Sequence, residues 1–318
     1  MTLLIVRRRR LGHSTCKALS GLLSDLGTPN KVWRNDQTFP TSERLASGQG
    51  LTGIVRWGCT ATVPRSSTAR VPVINLASGI HQVNNKTQFL LKLQESMLDQ
   101  TGLLPVLTSM NVSMGAGSGG TQVTDGNQQW VVRPHQHSQG RNLEVLTQSQ
   151  LSTRLAQGSL NGHYARPLIE KKAEYRVYVV NGRVVNVAQK TPGDPSSVAW
   201  NVAQGGRFDN LRWGDWPMKV VDLACRVFPH TGLNITGIDI MVDHDDEAWF
   251  IEANSAPSLP FNSDGSTTYR QECIAKAIHY TLTVNKDMID AETNNGWRGY
   301  VHPAIWSTTR ESEARVQS

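Results

Sequence analysis

The sequence predicts a mixed α/β (α+β) protein, a small N-terminal α/β unit followed by a larger part built on antiparallel hairpins. Three observations predict it. Short apolar runs alternate with a helix-spaced segment over residues 1–76. An Asn-Gly dipeptide at Asn181 and Gly182 joins two β-rich runs, "EYRVYVV" and "RVVNVAQK", which is the chemistry of a two-residue hairpin turn. The stretch "GIDIMVDHDDEAWFIEANSAPSLP", Gly237 to Pro260, reads as two more strands joined by an acidic turn.

The elements follow in order. Leu3 to Val6 is a short buried strand, and Ser14 to Leu26 has helical spacing with Ser14 as N-cap. Lys31 to Trp33, Ile54 to Trp57 and Val73 to Asn75 are further strands. Asn85 to Gly102 places Phe89, Leu90, Leu93 and Met97 on one helical face and ends at a glycine, so it reads as a helix. "LLPVLTSM" leaves it as a strand or connector. In "MGAGSGGTQVTDGNQQW", Gly115, Gly117 and Gly120 satisfy GxGxxG spacing, but no amphipathic helix follows, so the segment reads as a loop. Val131 to Arg133 begins a second α/β unit. A second glycine-containing loop, "GDPSSVAWNVAQGGRF", precedes a helix near Asp215 to Phe228, and another helix covers Thr267 to Val284. Beyond Gly296 lies a polar tail with Trp297 and Trp306. No internal repeat is present.

Composition bounds the function. With 318 residues, 38% hydrophobic and 18% charged, the chain can bury a sizeable core and more than one domain. A net charge of +6 favours an acidic partner, whether nucleotide, acidic peptide or nucleic acid, without choosing among them. Cys16, Cys59, Cys225 and Cys273 are scattered, with no CxxC, so neither a zinc site nor a disulfide framework is expected, and reduced thiols in a cytoplasm are the simplest reading. In "MTLLIVRRRR" the apolar run precedes the basic one and is too short to span a membrane or act as a secretory core, so no membrane association or export is expected.

The polar residues of the Gly237–Pro260 hairpin need an explanation. In an extended chain Glu252 and Asn254 share a face, about 7 Å apart along the strand, with Trp249, Ile251 and Ala253 on the other. Pairing Val242 with Trp249 puts Asp239 opposite Glu252. Two adjacent carboxylates repel unless a cation or proton lies between them, so Asp239, Glu252 and Asn254 ask for a hard metal such as Mg2+. The plainer alternative is a hairpin whose acids are merely hydrated. The turn "DHDDE" lacks the sixth-position glycine and twelfth-position glutamate of a calcium loop, so it reads as solvated.

The order of motifs from Lys86 to Leu259 resembles the ATP-grasp superfamily, with residues 1–80 similar to its preceding α/β domain, residues 81–290 to the grasp domain (105–170 its small nucleotide-clasping subdomain) and 291–318 left as a tail. The likeness includes the ribosomal-protein and peptide-modifying ligases and uncharacterised phage proteins. "GIDIMV" followed by "WFIEANSAPSL" is similar to the family's metal hairpin, which implies Asp239, Glu252 and Asn254 as ligands of magnesium, with manganese as a substitute. "WVVRPHQHSQGRNLEV" resembles its strand and phosphate loop, with Arg133 where a lysine is usual and Gly140 for close backbone approach. His135 and His137 are loop contacts or simply exposed. The resemblance also implies phosphate contacts from Lys86 and Lys190, the latter equally readable as a solvated strand end. "HYARPLIEKKAEYRVYVV" looks like the nucleotide hinge, implying adenine contacts from the backbone of Leu168, Ile169 and Glu170 and a ribose contact from Glu174, with Arg176 on the same face. Pro167 stands where many members have glutamate. "AWNVAQGGRF" is similar to a loop near the transferred phosphate, implying roles for Asn201, Gly205 and Gly206, with Arg207 meeting a substrate carboxylate.

The expected activity is ATP- and Mg-dependent, ADP-forming carboxylate–amine ligation through an acyl phosphate. Its catalytic candidates are Arg133, Arg176, Lys190 and Asn201. A kinase on the same scaffold is the rival enzyme, and a non-catalytic, nucleotide-dependent nucleic-acid-binding protein is the rival of another class. Small-molecule or peptide carboxylates and amines are the expected substrates, with a modified nucleotide or nucleic acid still open. The basic run Arg7 to Arg10 and Arg56 follow or end strands of the first unit and are candidate contacts for an acidic substrate. A bacterial or phage source and a cytoplasmic setting are expected.

Overall fold

Four parallel strands and a helix open the chain in the computed structural model. It describes residues 2–9, 12–38, 51–61, 73–97, 101–108, 127–135, 142–158, 160–194, 197–200, 205–259 and 265–283. The strands are β1 (Thr2–Arg7), β2 (Asn30–Arg34), β3 (Leu51–Trp57) and β4 (Val73–Ile74), in the order β2-β1-β3-β4. β1 has a neighbour on each side, and its continuous run Leu3–Val6 is fully buried, as in a covered parallel sheet. Helix α1 (His13–Asp25) starts one residue before the expected Ser14, and Ser14 does not cap it. The cap is Gly12 at φ 71°, where an added Cβ would also meet Trp57 Cδ1 at 2.8 Å, so only glycine fits.

β4 stops before Asn75, which turns to φ 64° and gives its side chain to another strand. Its Oδ1 accepts from the backbone N–H groups of Asn234 and Ile235, and its Nδ2 donates to Ile235 O at 2.9 Å. Asn234 Oδ1 accepts from Asn75 N–H in return. The helix expected from Asn85 is present but shorter, and a helix that the sequence reading did not name precedes it. Helix α2 (Ala77–Asn84) is followed at once by α3 (Lys86–Ser96), capped by Asn85, which accepts from Gln88 N–H. The second ends before Gly102 because Met97 turns extended at ψ 122°.

A three-stranded antiparallel sheet comes next: β5 (Gln129–Pro134), β6 (Glu144–Thr147) and β7 (His163–Pro167), ordered β6-β5-β7. Helix α4 (Gln148–Ala156), entered through a Thr147/Gln150 capping box, covers it. The large sheet is antiparallel, built from β8 (Lys171–Val180), β9 (Arg183–Thr191), β10 (Arg207–Asn210), β11 (Ile235–Asp243) and β12 (Ala248–Asn254) in the order β10-β9-β8-β11-β12. Asn181 and Gly182 turn β8 into β9 with both φ positive, 48° and 80°, as the Asn-Gly pair predicts.

Two cores clamp the large sheet. On one face Val177, Val187, Ile238, Ile240 and Phe250 pack with α2, α3 and helix α5 (Met218–Val227), which is shorter than the expected Asp215–Phe228. On the other, Tyr178, Val180 and Ile235 share a core with β1, β3, α1 and helix α6 (Tyr269–Thr283). All four cysteines are free. No described helix is long and apolar enough to cross a membrane.

Candidate functional site

The site begins with register. Asp239 does pair with Glu252, but not by the expected route: Val242 pairs with Ala248 and Met241 with Trp249. A bulge between the pairs Asp239–Glu252 and Ile240–Phe250 inserts Ile251 and restores the alignment. The extra residue also corrects the predicted faces. Phe250 and Ala253 both enter the apolar core, while Ile251 and Glu252 both line the cavity on the other side.

That cavity lies between the small and large sheets. Val131, Arg133, Tyr164 and Arg166 form one wall, and Glu174, Lys190, Asp239, Met241, Ile251 and Glu252 the other. Leu168, Ile169 and Lys171, between β7 and β8, close one side. At its centre stands Asp239, 2% exposed. Its cross-strand neighbour Arg176 grips both oxygens, Nε to Oδ1 at 2.5 Å and Nη2 to Oδ2 at 2.7 Å. Lys190 Nζ donates to Oδ2 at 2.9 Å and also pairs closely with Glu174, which lies directly across from it. Lys171 holds the other Glu174 oxygen at 2.5 Å. Glu174, expected to accept from a ribose, is therefore held between two ammonium groups.

Charge and burial set the protonation states. Burial alone would raise the Asp239 carboxyl, but the Arg176 and Lys190 charges hold it below the usual range. Burial works against the Lys190 and Arg176 cations too, and Asp239 overrides it, keeping both above their ordinary values. Lys171 goes the other way, lowered by burial that Glu174 only partly offsets. Burial lowers Arg166 to about 10 and raises Tyr164, a neighbour of Arg133.

The donor set fits a hard divalent ion. Asp239 and Glu252 are opposed, and Asn254 Nδ2 donates to Glu252 Oε1 at 3.0 Å, fixing the amide beside the carboxylate. Among the described residues no group of three or more His, Cys, Asp and Glu could hold a metal. Two carboxylates and an amide oxygen could hold such an ion, a set that would leave positions for phosphate oxygens and water. Lys86 stands at this edge, its Nζ donating to Ala253 O at 2.6 Å and 3.7 Å from Glu252 Oε2.

Other expectations fare differently. Arg133 lines the cavity, and its Nε is buried without a hydrogen-bond partner. Leu168 and Ile169 line the cavity and Glu170 does not; Leu168 spends its N–H on Gln129 O, and its carbonyl accepts from Gln128 Nε2. His135 bonds Thr87 Oγ1 at 2.7 Å and is lowered by burial and by His163. Arg207 is paired with Asp209. Arg56 is a correction: it is buried and donates to the carbonyls of Cys59 and Ala61, a structural role, not one facing substrate. Gly140, His137 and Asn201 lie outside the described residues.

Sequence reasoning missed several side chains here. Met241 stands two residues after Asp239, so strand alternation alone would have found it. Arg166 donates to the carbonyls of Phe250 and Ile251 across the cleft, which no local pattern shows. Phe208 on β10 lies under Arg176, Lys190 and Arg270, with the cations 4.8, 5.6 and 5.2 Å from its ring.

Residues 138–278 match the RimK-like ATP-grasp domain family. The chain has the ATP-grasp fold. Enzymes of this domain family are ATP-dependent carboxylate–amine ligases. Solved structures share the fold across nearly the whole chain. The ATP-grasp ligase PsnB, complexed with a minimal precursor, is 15% identical at a TM-score of 0.61, covering 88% of this chain and 99% of its own. The macrocyclase MdnC from Microcystis aeruginosa MRC, bound with precursor peptide MdnA, is 13% identical at 0.58, covering 89% and 99%. The D-cycloserine synthetase DcsG is 13% identical at 0.59, covering 89% and 100%. No curated protein matches the chain.

Proposed function

We propose that the protein is an ADP-forming ligase that activates a carboxylate as an acyl phosphate and joins it to an amine, with a peptide as one substrate. The observation that carries this reading is Asp239, opposed by Glu252 and gripped by Arg176 and Lys190 on one wall of the cleft. The base of ATP would take the apolar side beside Val131, Ile169, Met241 and Ile251, and its phosphates the cationic side at Arg133 and Lys190. Asp239, Glu252 and Asn254 would hold magnesium, which supplies charge neutralisation across the β- and γ-phosphates. Gly140 and Asn201 are assigned to the phosphates as well.

A substrate carboxylate oxygen attacks the γ-phosphorus, the bond to the β,γ-bridging oxygen breaks, and ADP leaves. The amine then attacks the acyl carbon, loses its proton, and phosphate departs. Arg176 and Lys190 face charge that grows on the transferred group, and their burial strengthens that attraction. The peptide assignment is supported by PsnB and MdnC, whose structures hold precursors or precursor peptides.

The test is to incubate the protein with ATP, magnesium, hydroxylamine and pooled peptides. Hydroxamate formed in step with ADP is expected. A stable phosphorylated product would instead show a kinase, and absence of substrate-dependent ADP release would overturn both.

A further inference from the structure

The first sheet holds a second polar cavity. It measures about 250 Å3 beside β1, β2 and α1 and is lined by Arg7, His13, Lys17, Ser20, Arg34 and Gln37, none of which lines the nucleotide cleft. At ~30 Å3 per water, it has room for several water-sized groups.

Arg7 makes this cavity unusual. It is 7% exposed, yet none of its described partners is a carboxylate: Nη1 donates to the carbonyls of Arg8 and Arg9 at 3.0 and 3.1 Å, and Nη2 to His13 Nδ1 at 3.1 Å. Its Nε is buried with no partner among the described residues. A guanidinium cannot shed its proton, so burial without an anion is unfavourable. The nearby acid does not relieve it, because Asp36 is engaged by Arg34 at 2.6 Å and Arg9 at 3.4 Å. Cys16 does not either, since burial raises its thiol to about 12 against the pull of Arg7, leaving it neutral. The other features add to the same sign. Lys17 and Arg34 stand at the rim, and α1 begins at His13 with no side-chain cap and no acid in its first turn.

We infer that this cavity binds an oxyanion, the carboxylate or phosphate group of a ligand other than the nucleotide, with Arg7 at its base and Lys17 and Arg34 at its mouth. Carboxylate and phosphate share the chemistry that a buried guanidinium and a rim ammonium recognise. The site stands apart from the magnesium residues, so it holds or fails independently of the ligase reading.

The experiment uses the full chain saturated with Mg-ADP, which removes the nucleotide cleft as a competitor. Inorganic phosphate and N-acetylglutamate amide are titrated in separate arms, reading the Arg7 Nε–H NMR resonance and the affinity by calorimetry. One probe is expected to shift that resonance and to bind about tenfold more weakly to Lys17→Gln, a change at an exposed position that leaves folding intact. The arm that responds identifies the ligand as phosphorylated or acidic. No shift with either probe, or a response undiminished in the Lys17→Gln, Arg34→Gln double variant, would overturn the proposal.

Discussion

Two isosteric substitutions separate the metal role of the hairpin from its structural role. Asp239→Asn removes the charge that holds Arg176 and Lys190, both at 9% exposure or less. Breaking a buried ion pair from one side costs about 3–5 kcal/mol. Lys190 keeps Glu174 and the amide retains an acceptor, so the lower figure applies, about 3 kcal/mol. At ~2–4 °C per kcal/mol, Tm should fall by roughly 6–12 °C. Glu252→Gln acts on a side chain that is 23% exposed and 3.7 Å from Lys86, an interaction worth below about 1 kcal/mol. Its Tm should move by less than ~4 °C. Both variants remove one anionic ligand, so both should weaken magnesium-dependent ATP binding by about a hundredfold, ~2.7 kcal/mol. Calorimetry with ATP, with and without magnesium, beside thermal melts of both variants, provides the assay. Wild-type ATP affinity in a folded Glu252→Gln protein would refute the metal assignment, and an undiminished Tm in Asp239→Asn would refute the buried network.

Three further outcomes are expected. Gly237→Ala adds a Cβ 2.8 Å from Pro257 Cβ and 3.2 Å from Arg176 Cδ; forcing Arg176 off Asp239 should cost about 1–3 kcal/mol in denaturant melts and slow ADP release in steady-state assays. Phe208→Leu removes the ring under three cations and should lose about 1–2 kcal/mol, while Phe208→Tyr restores most of it in the same melts. The pH dependence of unfolding has a defined sign. Asp239 is lowered below 3.8, so its contribution is present above that value and is lost as pH falls through its folded value. Lys190 is raised above 10.5, so its contribution is present below that and is lost as pH climbs past its folded value. His135, lowered from 6.5, resists protonation in the fold, so a small earlier decline should set in below pH 6.5 and vanish in His135→Gln.

The parts of this fold that were legible are those whose signal is local. Asn181-Gly182 states its own backbone conformation, and the β8/β9 hairpin follows. The hairpin acids were legible because alternation and a short turn constrain them together. Even there the predicted pairing of Val242 with Trp249 was one residue off, and the Ile251 bulge brought Asp239 back to Glu252. No pattern in the run "AWFIEAN" announces that bulge, because it answers packing, with Phe250 and Ala253 both needed in one core. Arg56 was misread for a related reason: a strand-end arginine looks the same whether it faces solvent or the carbonyls of Cys59 and Ala61. Glu174 likewise announced a polar face but not its two lysines, one of which comes from the next strand.

That network bears on how the cleft would accept the triphosphate of the proposed reaction. Arg133, Arg166, Lys171 and Lys190 line one cavity with Glu174, Asp239 and Glu252, and Arg176 is paired with Asp239 behind them, so cations outnumber acids. The buried carboxylates hold the cations at fixed positions without neutralising them all. Side chains ordered in this way lose little rotamer freedom when an anion arrives. Asp239 is asked to do two things, holding Arg176 and Lys190 and, in the proposed reaction, facing a metal. An asparagine cannot meet both demands, whereas Glu252 is half-buried, bonded to Asn254 and 3.7 Å from Lys86. The unequal burial of the two acids therefore divides the labour in the proposed reaction, with Asp239 ordering the cations and the more exposed Glu252 the better placed to meet a metal nucleotide.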